Sequence, residues 1–297
     1  MNLKKYEAFV KVIDLGSLTR AAQDIGYTQS GVSHMIQALE EELGFLLLRR
    51  SRSGVQLTSE GEALLPVIRS ILNSSEQLRQ TVSSLHGLEI GTVRIAAFSS
   101  VAVHWLPGML RSFQALYPNI EFQLMTGDYH DVELWLSSGA ADLGFLTLPS
   151  NTKPPLTCIP LLDDPLLAIL PPDHPLAKEA AYPLKKLPQE DFIGLREQSA
   201  HDVRRILEPL DIQPNLRFTT KDDYAIIAMV ANGLGVSIMP KLLLQASPHS
   251  AVCALPLEPP ATRTIALALA ATAEKSPVVH RFSQHVQSWI SGNSAPV

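Results

Sequence analysis

Cysteine is nearly absent: Cys158 and Cys253 are the only two among 297 residues. Two thiols build no disulfide framework, and no Cys/His cluster with metal-ligand spacing occurs, so a small disulfide-held or metal-held fold is excluded. Long apolar runs are missing as well. The opening stretch "MNLKKYEAFVKVID" has none. Neither a secretory signal nor a membrane span is therefore expected, and two free thiols fit a reducing cytoplasm. There is no basic excess either: 24 Lys and Arg stand against 29 Asp and Glu, a net charge of −5. Bulk charge gives no attraction to nucleic acid, and only a local basic patch remains open. G-x-S-x-G, P-loop and G-x-G-x-x-G signatures are lacking, which removes the usual enzyme motifs. The stretch "SAHD" sets Ser199, His201 and Asp202 together, but residues this close on one turn and helix start do not align as a hydrolase triad.

What is present is an ordinary globular balance, 46% hydrophobic and 18% charged, in a chain long enough for two or three folding units. Leu3, Tyr6, Phe9, Val10 and Ile13 recur at helical spacing until Gly16. Ser17 is an N-cap for a second helix carrying Leu18, Ala21, Ala22 and Ile25, and Gly26 ends it. Thr28 can cap a third helix whose inner face is Val32, Met35, Ile36, Leu39 and Leu43. Its outer face carries Gln29, Ser30, Ser33, His34 and Gln37. Two helices joined by a tight glycine-containing turn form a helix-turn-helix, whose second helix enters the major groove. Gln pairs bidentately with adenine, and Ser or His reaches a base edge or a phosphate. Glu40, Glu41 and Glu42, at the far end, read as a solvated face. "FLLLRRSRSGVQLT" then reads as a β-ribbon turning at Ser53–Gly54, with Arg49, Arg50 and Arg52 placed for phosphates or the minor groove.

Thr58 or Ser59 starts the next helix, and Ser59 with Glu62 fits a capping box. Leu64, Ile68, Ile71, Ser75, Leu78, Val82 and Leu85 follow at steps of 4-3-4-3-4-3, a heptad seam that reads as a dimerisation helix, with packing on its own domain as the alternative. Pro66 removes one helical hydrogen bond and is expected to kink it. "HGLEIGT" (86–92) ends it as a hinge. From residue 92 strands and helices alternate. "TVRIAAF", a helix over "VAVHWLPGMLRSFQALYP", "IEFQLMTG", a helix through Asp128–Ser138 and "ADLGFLTL" imply a parallel sheet. A second unit begins near Pro165 with "PLLAILPPDHPLA". "DFIGL", "HDVRRILEPL", "LRFTT", "DDYAIIAMVANG" and "LGVSIMP" follow, then "RTIALALA" and a final helix capped at Ser276–Pro277. Crossings near 163–167 and 262–267 leave a cleft. Ser99, Ser100, Thr126, Gly127, Thr147, Ser199, Thr219 and Thr220 lie at strand ends facing it, where ligands of open α/β sheets bind and helix N–H groups favour an organic anion.

These features resemble the LysR-type transcriptional regulators. The resemblance rests on "SLTRAAQDIGYTQSGVSHMIQALEEELG" (17–44), "RRSRSGVQLTSEGEALL" (49–65) and "ANGLGVSIMP" (231–240), and it spans essentially the whole chain. It implies a winged helix-turn-helix over 1–58, a linker helix over 59–87 and a periplasmic-binding-protein-like α/β effector domain over 88–297. That domain divides into subdomain I (91–162 and 267–297) and subdomain II (163–266). Thr28, Gln29, Ser30, Ser33, His34, Gln37, Arg49, Arg50 and Arg52 are then expected on double-stranded DNA at an interrupted palindrome. Ser99, Ser100, Thr126, Gly127, Thr147, Ser199 and Thr220 are expected around a small-molecule effector. A homodimer or homotetramer, an encounter with RNA polymerase, a cytoplasmic location, and neither metal nor cofactor complete the expectation. Leu46 stands where many members have Arg, Leu48 where many have Phe, and His34 replaces a frequent Arg, which bears on phosphate contacts and operator sequence. The alternatives are a solute-binding protein and, last, a serine hydrolase.

Overall fold

The computed structural model describes residues 3–51, 54–85, 90–150, 152, 156–196, 201–245, 252–271, 273 and 276–293. The side chains of Arg50, Ser51, Ser84 and His201 lie outside the description, as do Arg52 and Ser199 altogether.

Three helices open the chain: α1 (Leu3–Leu15), α2 (Leu18–Asp24) and α3 (Gln29–Leu43). The N-caps of α2 and α3 are those the sequence places. Ser17 Oγ accepts from the Arg20 N–H, Thr28 Oγ1 accepts from the Gly31 N–H at 3.1 Å, and Gly44 ends α3 in the left-handed region at φ 77°. Phe9, Val12, Ala21, Val32 and Leu39 are fully buried between the three. The small side chains of Ala21 and Ala22 let α2 approach its neighbours closely. The hairpin β1 (Leu48–Ser51) and β2 (Gly54–Leu57) follows, antiparallel with Leu48 opposite Leu57. Glu40 was expected in a solvated face, but it is partly buried and its Oε1 accepts from the N–H groups of Leu47 and Leu48 at 2.7 and 3.1 Å. It fixes the wing to α3.

The long helix α4 spans Ser59–Leu85 with Pro66 inside it. Its cap is Thr58: Thr58 Oγ1 accepts from the Gly61 N–H, while Ser59 donates to Glu60 instead of forming the expected box with Glu62. A Cβ at Gly61 would stand 2.2 Å from the Leu47 carbonyl oxygen, so only glycine lets the helix start against the wing. The heptad seam splits in two. Leu64, Ile68 and Ile71, with Leu65 and Leu72 beside them, pack into the core of α1–α3. Leu78 (66% exposed), Val82 and Leu85 (82%) face outward. About one residue, or 100°, around the helix, a polar stripe is buried: Arg69, Asn73 and Gln80.

The remaining elements are β3 (Gly91–Ala97), α5 (Ser99–His104), α6 (Leu106–Leu116), β4 (Ile120–Thr126), α7 (Tyr129–Ser137), β5 (Leu143–Leu148) and β6 (Thr157–Leu170). Then come β7 (Tyr182–Pro183), β8 (Asp191–Leu195), α8 (His201–Leu207), β9 (Asn215–Thr220), α9 (Asp223–Ala231), β10 (Ser237–Pro240) and α10 (Lys241–Leu244). The last three are β11 (Cys253–Glu258), β12 (Thr262–Leu269) and α11 (Pro277–Asn293). Strands run in the order β4-β3-β5-β12-β6-β11-β7, with β10 also on β6 and with β8–β9 as a separate parallel pair.

Four expectations need correction. The sheet is mixed, because β12 runs antiparallel to both β5 and β6, although β4-β3-β5 is parallel as expected. The single helix expected over 101–118 is two, α5 and α6, meeting at Trp105. Pro107, at the start of α6, has no N–H to continue the first helix. Strand β6 begins at Thr157, eight residues before Pro165, and passes through both halves: Thr157–Pro165 pair with β12, Leu166–Leu170 with β10 and β11. Strand β11 has no counterpart in the sequence reading; Leu255 and Leu257 alternate inward around Pro256. Among the described residues no helix is long and apolar enough to cross a membrane.

Candidate DNA-contacting face and ligand cleft

The outer face of α3 stands free. Thr28, Gln29, Ser30, His34 and Gln37 are exposed and Ser33 is half-buried, while Val32, Ile36 and Leu39 hold the helix from behind. Thr28 Oγ1 lies 3.1 Å from Ser30 Oγ, and Gln37 Nε2 donates to Glu41 Oε1 at 3.0 Å. Both contacts are local and on the surface, so they orient the side chains without burying them. Arg49 is exposed on the wing next to this face. The expected roles of Arg50 and Arg52 fall on side chains outside the described residues. Phe45 and Leu46, beyond the helix end, are also exposed.

The linker helix touches both of its neighbours through charge-assisted contacts. Arg69, on α4, pairs with Asp14 of α1. Asn73 donates to the Gly139 carbonyl and accepts from Arg94 at 2.6 Å, and Arg94 in turn pairs with Asp142. About two turns further along α4, Ser276 Oγ donates to Gln80 Oε1 at 2.6 Å, while it also accepts from the Val279 N–H at the start of α11. These side chains are polar, partly or wholly buried, and paired at fixed positions, with Arg69 Nε the one buried nitrogen of theirs left without a partner among the described residues, so the contact is geometrically specific.

The second site is a cleft of about 870 Å³ between the two halves of the α/β region. Ser99, Ser100, Thr126 and Gly127 line it, at the carboxyl ends of β3 and β4. Thr147 does not: it is buried within β5 opposite Ile265. Thr220 does not either; its hydroxyl accepts from the Asp222 N–H at 3.2 Å, and Lys221 reaches the cleft in its place. Ser199, expected at the cleft, lies outside the described residues.

At the base of the cleft sits a charged network that the sequence reading missed. Arg263 on β12 is 2% exposed and faces Asp164 on β6, its register partner. Its Nε and Nη2 donate to Asp164 Oδ2 at 2.9 and 2.7 Å; Nη2 also donates to Ser100 Oγ at 2.8 Å, and Nη1 donates to Tyr129 Oη at 2.5 Å. Its guanidinium also lies over the Phe98 ring, 5.1 Å from the centroid. Tyr129 donates onward to Asp202 Oδ2 at 2.5 Å, so a residue of α7 in one half is bonded to a residue of α8 in the other. Burial pushes the Tyr129 hydroxyl above its ordinary range, so it stays a donor. Burial alone would lower the Arg263 pKa, but Tyr129, Asp164 and Asp202 around it hold it above its usual value. Asp223, which hydrogen-bonds with Ser99, is raised by burial. A signal was available: charges of opposite sign interrupt the two apolar crossing segments, Asp163 and Asp164 in "LLDDPLLAIL" and Arg263 in "TRTIALALA", and a buried charge requires a partner. Asp202, noticed only beside Ser199, is engaged by Tyr129 and Arg263.

Comparison with known proteins gives a family for both regions of the chain. A family model described as "Bacterial regulatory helix-turn-helix protein, lysR family" matches residues 3–62, and one described as "LysR substrate binding domain" matches residues 86–291. The uncharacterized HTH-type transcriptional regulator YvbU of Bacillus subtilis (strain 168) is 32% identical over 285 residues, covering 93% of this chain and 94% of that one. Full-length OxyR from Pseudomonas aeruginosa shares the fold, with a TM-score of 0.76 at 24% identity over 98% of this chain and 94% of that chain. Full-length CbnR, solved in complex with its target DNA, shares it with a TM-score of 0.65 at 21% identity over 97% of this chain and 100% of that chain. The chain belongs to the LysR family of DNA-binding transcriptional regulators and carries that family's effector-binding domain.

Proposed function

We propose that the chain works as a homodimer, able to pair into a tetramer, in which two copies of α3 read two half-sites of an interrupted palindromic operator. The observation that carries this is the polar, solvent-facing surface from Thr28 to Gln37 on a helix anchored by its opposite face. One such helix makes few base contacts; a symmetric pair reads half-sites one helical turn, or a multiple of it, apart. Leu78, Val82 and Leu85, exposed along the far half of α4, supply an apolar seam for the second copy. Thr28, Gln29, Ser30, Ser33, His34 and Gln37 take the base-reading and phosphate positions, and Arg49, Arg50 and Arg52 hold the backbone from the wing. The division at 58/59 and 87/88 follows the same reading, as does the split of the effector domain into 91–162 with 267–297 and 163–266. Action in the cytoplasm, on DNA and in reach of RNA polymerase, accords with it.

Control comes through the cleft. A ligand shifts the arrangement of the DNA-binding heads only in so far as it binds one arrangement better than the other. The contacts from α4 to Gly139, Arg94 and Ser276 give the effector domain a grip on the helix that carries the heads. An organic anion would find hydroxyls of Ser99 and Thr126 at the cleft wall, but it would also meet the carboxylates of Asp202 and Asp223. Fluorescence-anisotropy titration of the DNA upstream of the protein's own gene against a scrambled duplex tests the regulator reading. The native duplex binds more tightly; equal affinity for both contradicts it.

A further inference from the structure

Among the described residues, five carboxylates line the cleft against three basic groups, Arg204, Lys221 and Arg263. Arg204 and Lys221 are exposed. Arg263, the deep cation, is already committed to Asp164, Tyr129 and Ser100. The floor is therefore acidic. Asp202 is 7% exposed and lines the cleft; Tyr129 donates to its Oδ2, but its other oxygen, Oδ1, is buried and has no hydrogen-bond partner among the described residues. A buried carboxylate oxygen without a donor costs its desolvation, and a donor arriving from the cleft would relieve that cost once the Asp202 side chain turns its Oδ1 toward the cleft space. Asp223 adds a second carboxylate whose ordinary acidity is weakened by burial, because its charge is under-compensated. Phe98, Leu166, Phe192, Ile226, Ile238 and Met239 wall the same space with apolar surface.

We propose that the effector is a small amine with an apolar body, whose ammonium group donates to Asp202 Oδ1 and balances the Asp223 carboxylate while the body packs on the aromatic and aliphatic wall. This rests on the reading of the cleft as the effector site, and it replaces the expectation of an organic anion. It also gives the ligand a handle on conformation. Asp202 belongs to one half of the cleft and its hydrogen-bond donor Tyr129 to the other, so a cation seated on Asp202 acts at the bond that joins them.

The test uses the full chain and three matched trios of probes. They are 2-phenylethylamine, 2-phenylethanol and 3-phenylpropanoate, with the butyl and cyclohexylmethyl counterparts of each. The readout is the thermal unfolding midpoint, and affinity for the upstream DNA is measured on the same preparation. At about ten times its dissociation constant an amine raises the midpoint by about 3 °C, its alcohol by less and its carboxylate not at all. Asp202→Asn brings the amine's shift down to that of the alcohol, and Asp223→Asn, a second variant in case the first unfolds, reduces it. Carboxylates shifting the midpoint as far as amines, or no amine shifting it, overturns the proposal. If that happens while the upstream DNA is still preferred, the ligand class is wrong and the regulator reading stands. If the DNA preference is itself missing, the regulator reading fails whatever the probes do.

Discussion

A helix can lie against base edges only if the side chains on that side are short, polar and unburied, and Gln29, Ser30 and Ser33 meet the first two conditions by composition. Gln29 sits in the first turn of α3, where the amide reaches outward without competition from the core. Gln29→Ala is expected to cost about 1–3 kcal/mol at the operator and little on random DNA, the signature of a lost bidentate base contact. Competition binding across operator variants measures it, and an unchanged preference would remove Gln29 from the reading surface. In the cleft, burial raises the pKa of Asp223 above the ordinary carboxylate value. A raised folded pKa means that the unfolded chain ionises first as pH rises, so this group's contribution is present at acid pH and is lost on the way to neutral. Asp223→Asn therefore raises the melting temperature at pH 8 and gives progressively less benefit toward pH 4. A benefit independent of pH would show that its carboxylate is not under strain.

At the scale of elements, the wing, the linker and the crossing strands each hold their place for a nameable reason. Thr58 caps α4 and also donates to the Leu46 carbonyl at 2.6 Å. Thr58→Ala is expected to cost about 1 kcal/mol in a denaturant titration. Arg49→Ala on the wing weakens binding to all sequences alike and reduces the slope of log K against log salt by about one, as one lost phosphate contact does. A sequence-selective loss would mean that the wing reads bases. Leu78→Glu with Val82→Glu places charges on the exposed seam, and sedimentation then shows a monomer at concentrations where the native chain is dimeric. These elements were unequally legible in the sequence. Helices α1–α3 could be read because their periodicity and the N-caps Ser17 and Thr28 are local. Strands β6 and β11 could not, because Pro160, Pro165, Pro256 and the Asp163–Asp164 pair look like loop punctuation. What makes them strands is hydrogen bonding to segments far along the chain, as with Arg263 opposite Asp164. The recognition face was legible for the same reason as its helix. The deep cleft was not: the strand-end hydroxyls marked its rim, and the charges at its base belong to residues that meet only once both crossings are made.

The whole molecule carries a net charge of −5, so its attraction to DNA is confined to one end rather than spread over the chain. That confinement is the physical ground for the proposed second copy, since a single small face gathers too few contacts for a specific site. Within the chain, α4 ties the helix-turn-helix to the effector domain through Arg69, Asn73 and Gln80. The central claim is that residues 28–37 enter the major groove and that pairing of the linker helices duplicates them. Hydroxyl-radical footprinting of the protein on its upstream DNA tests this most directly. The account predicts two protected tracts on one face of the duplex, separated by one helical turn of about 10.5 base pairs or a multiple of it. A single tract, or two that fall on opposite faces, would contradict it.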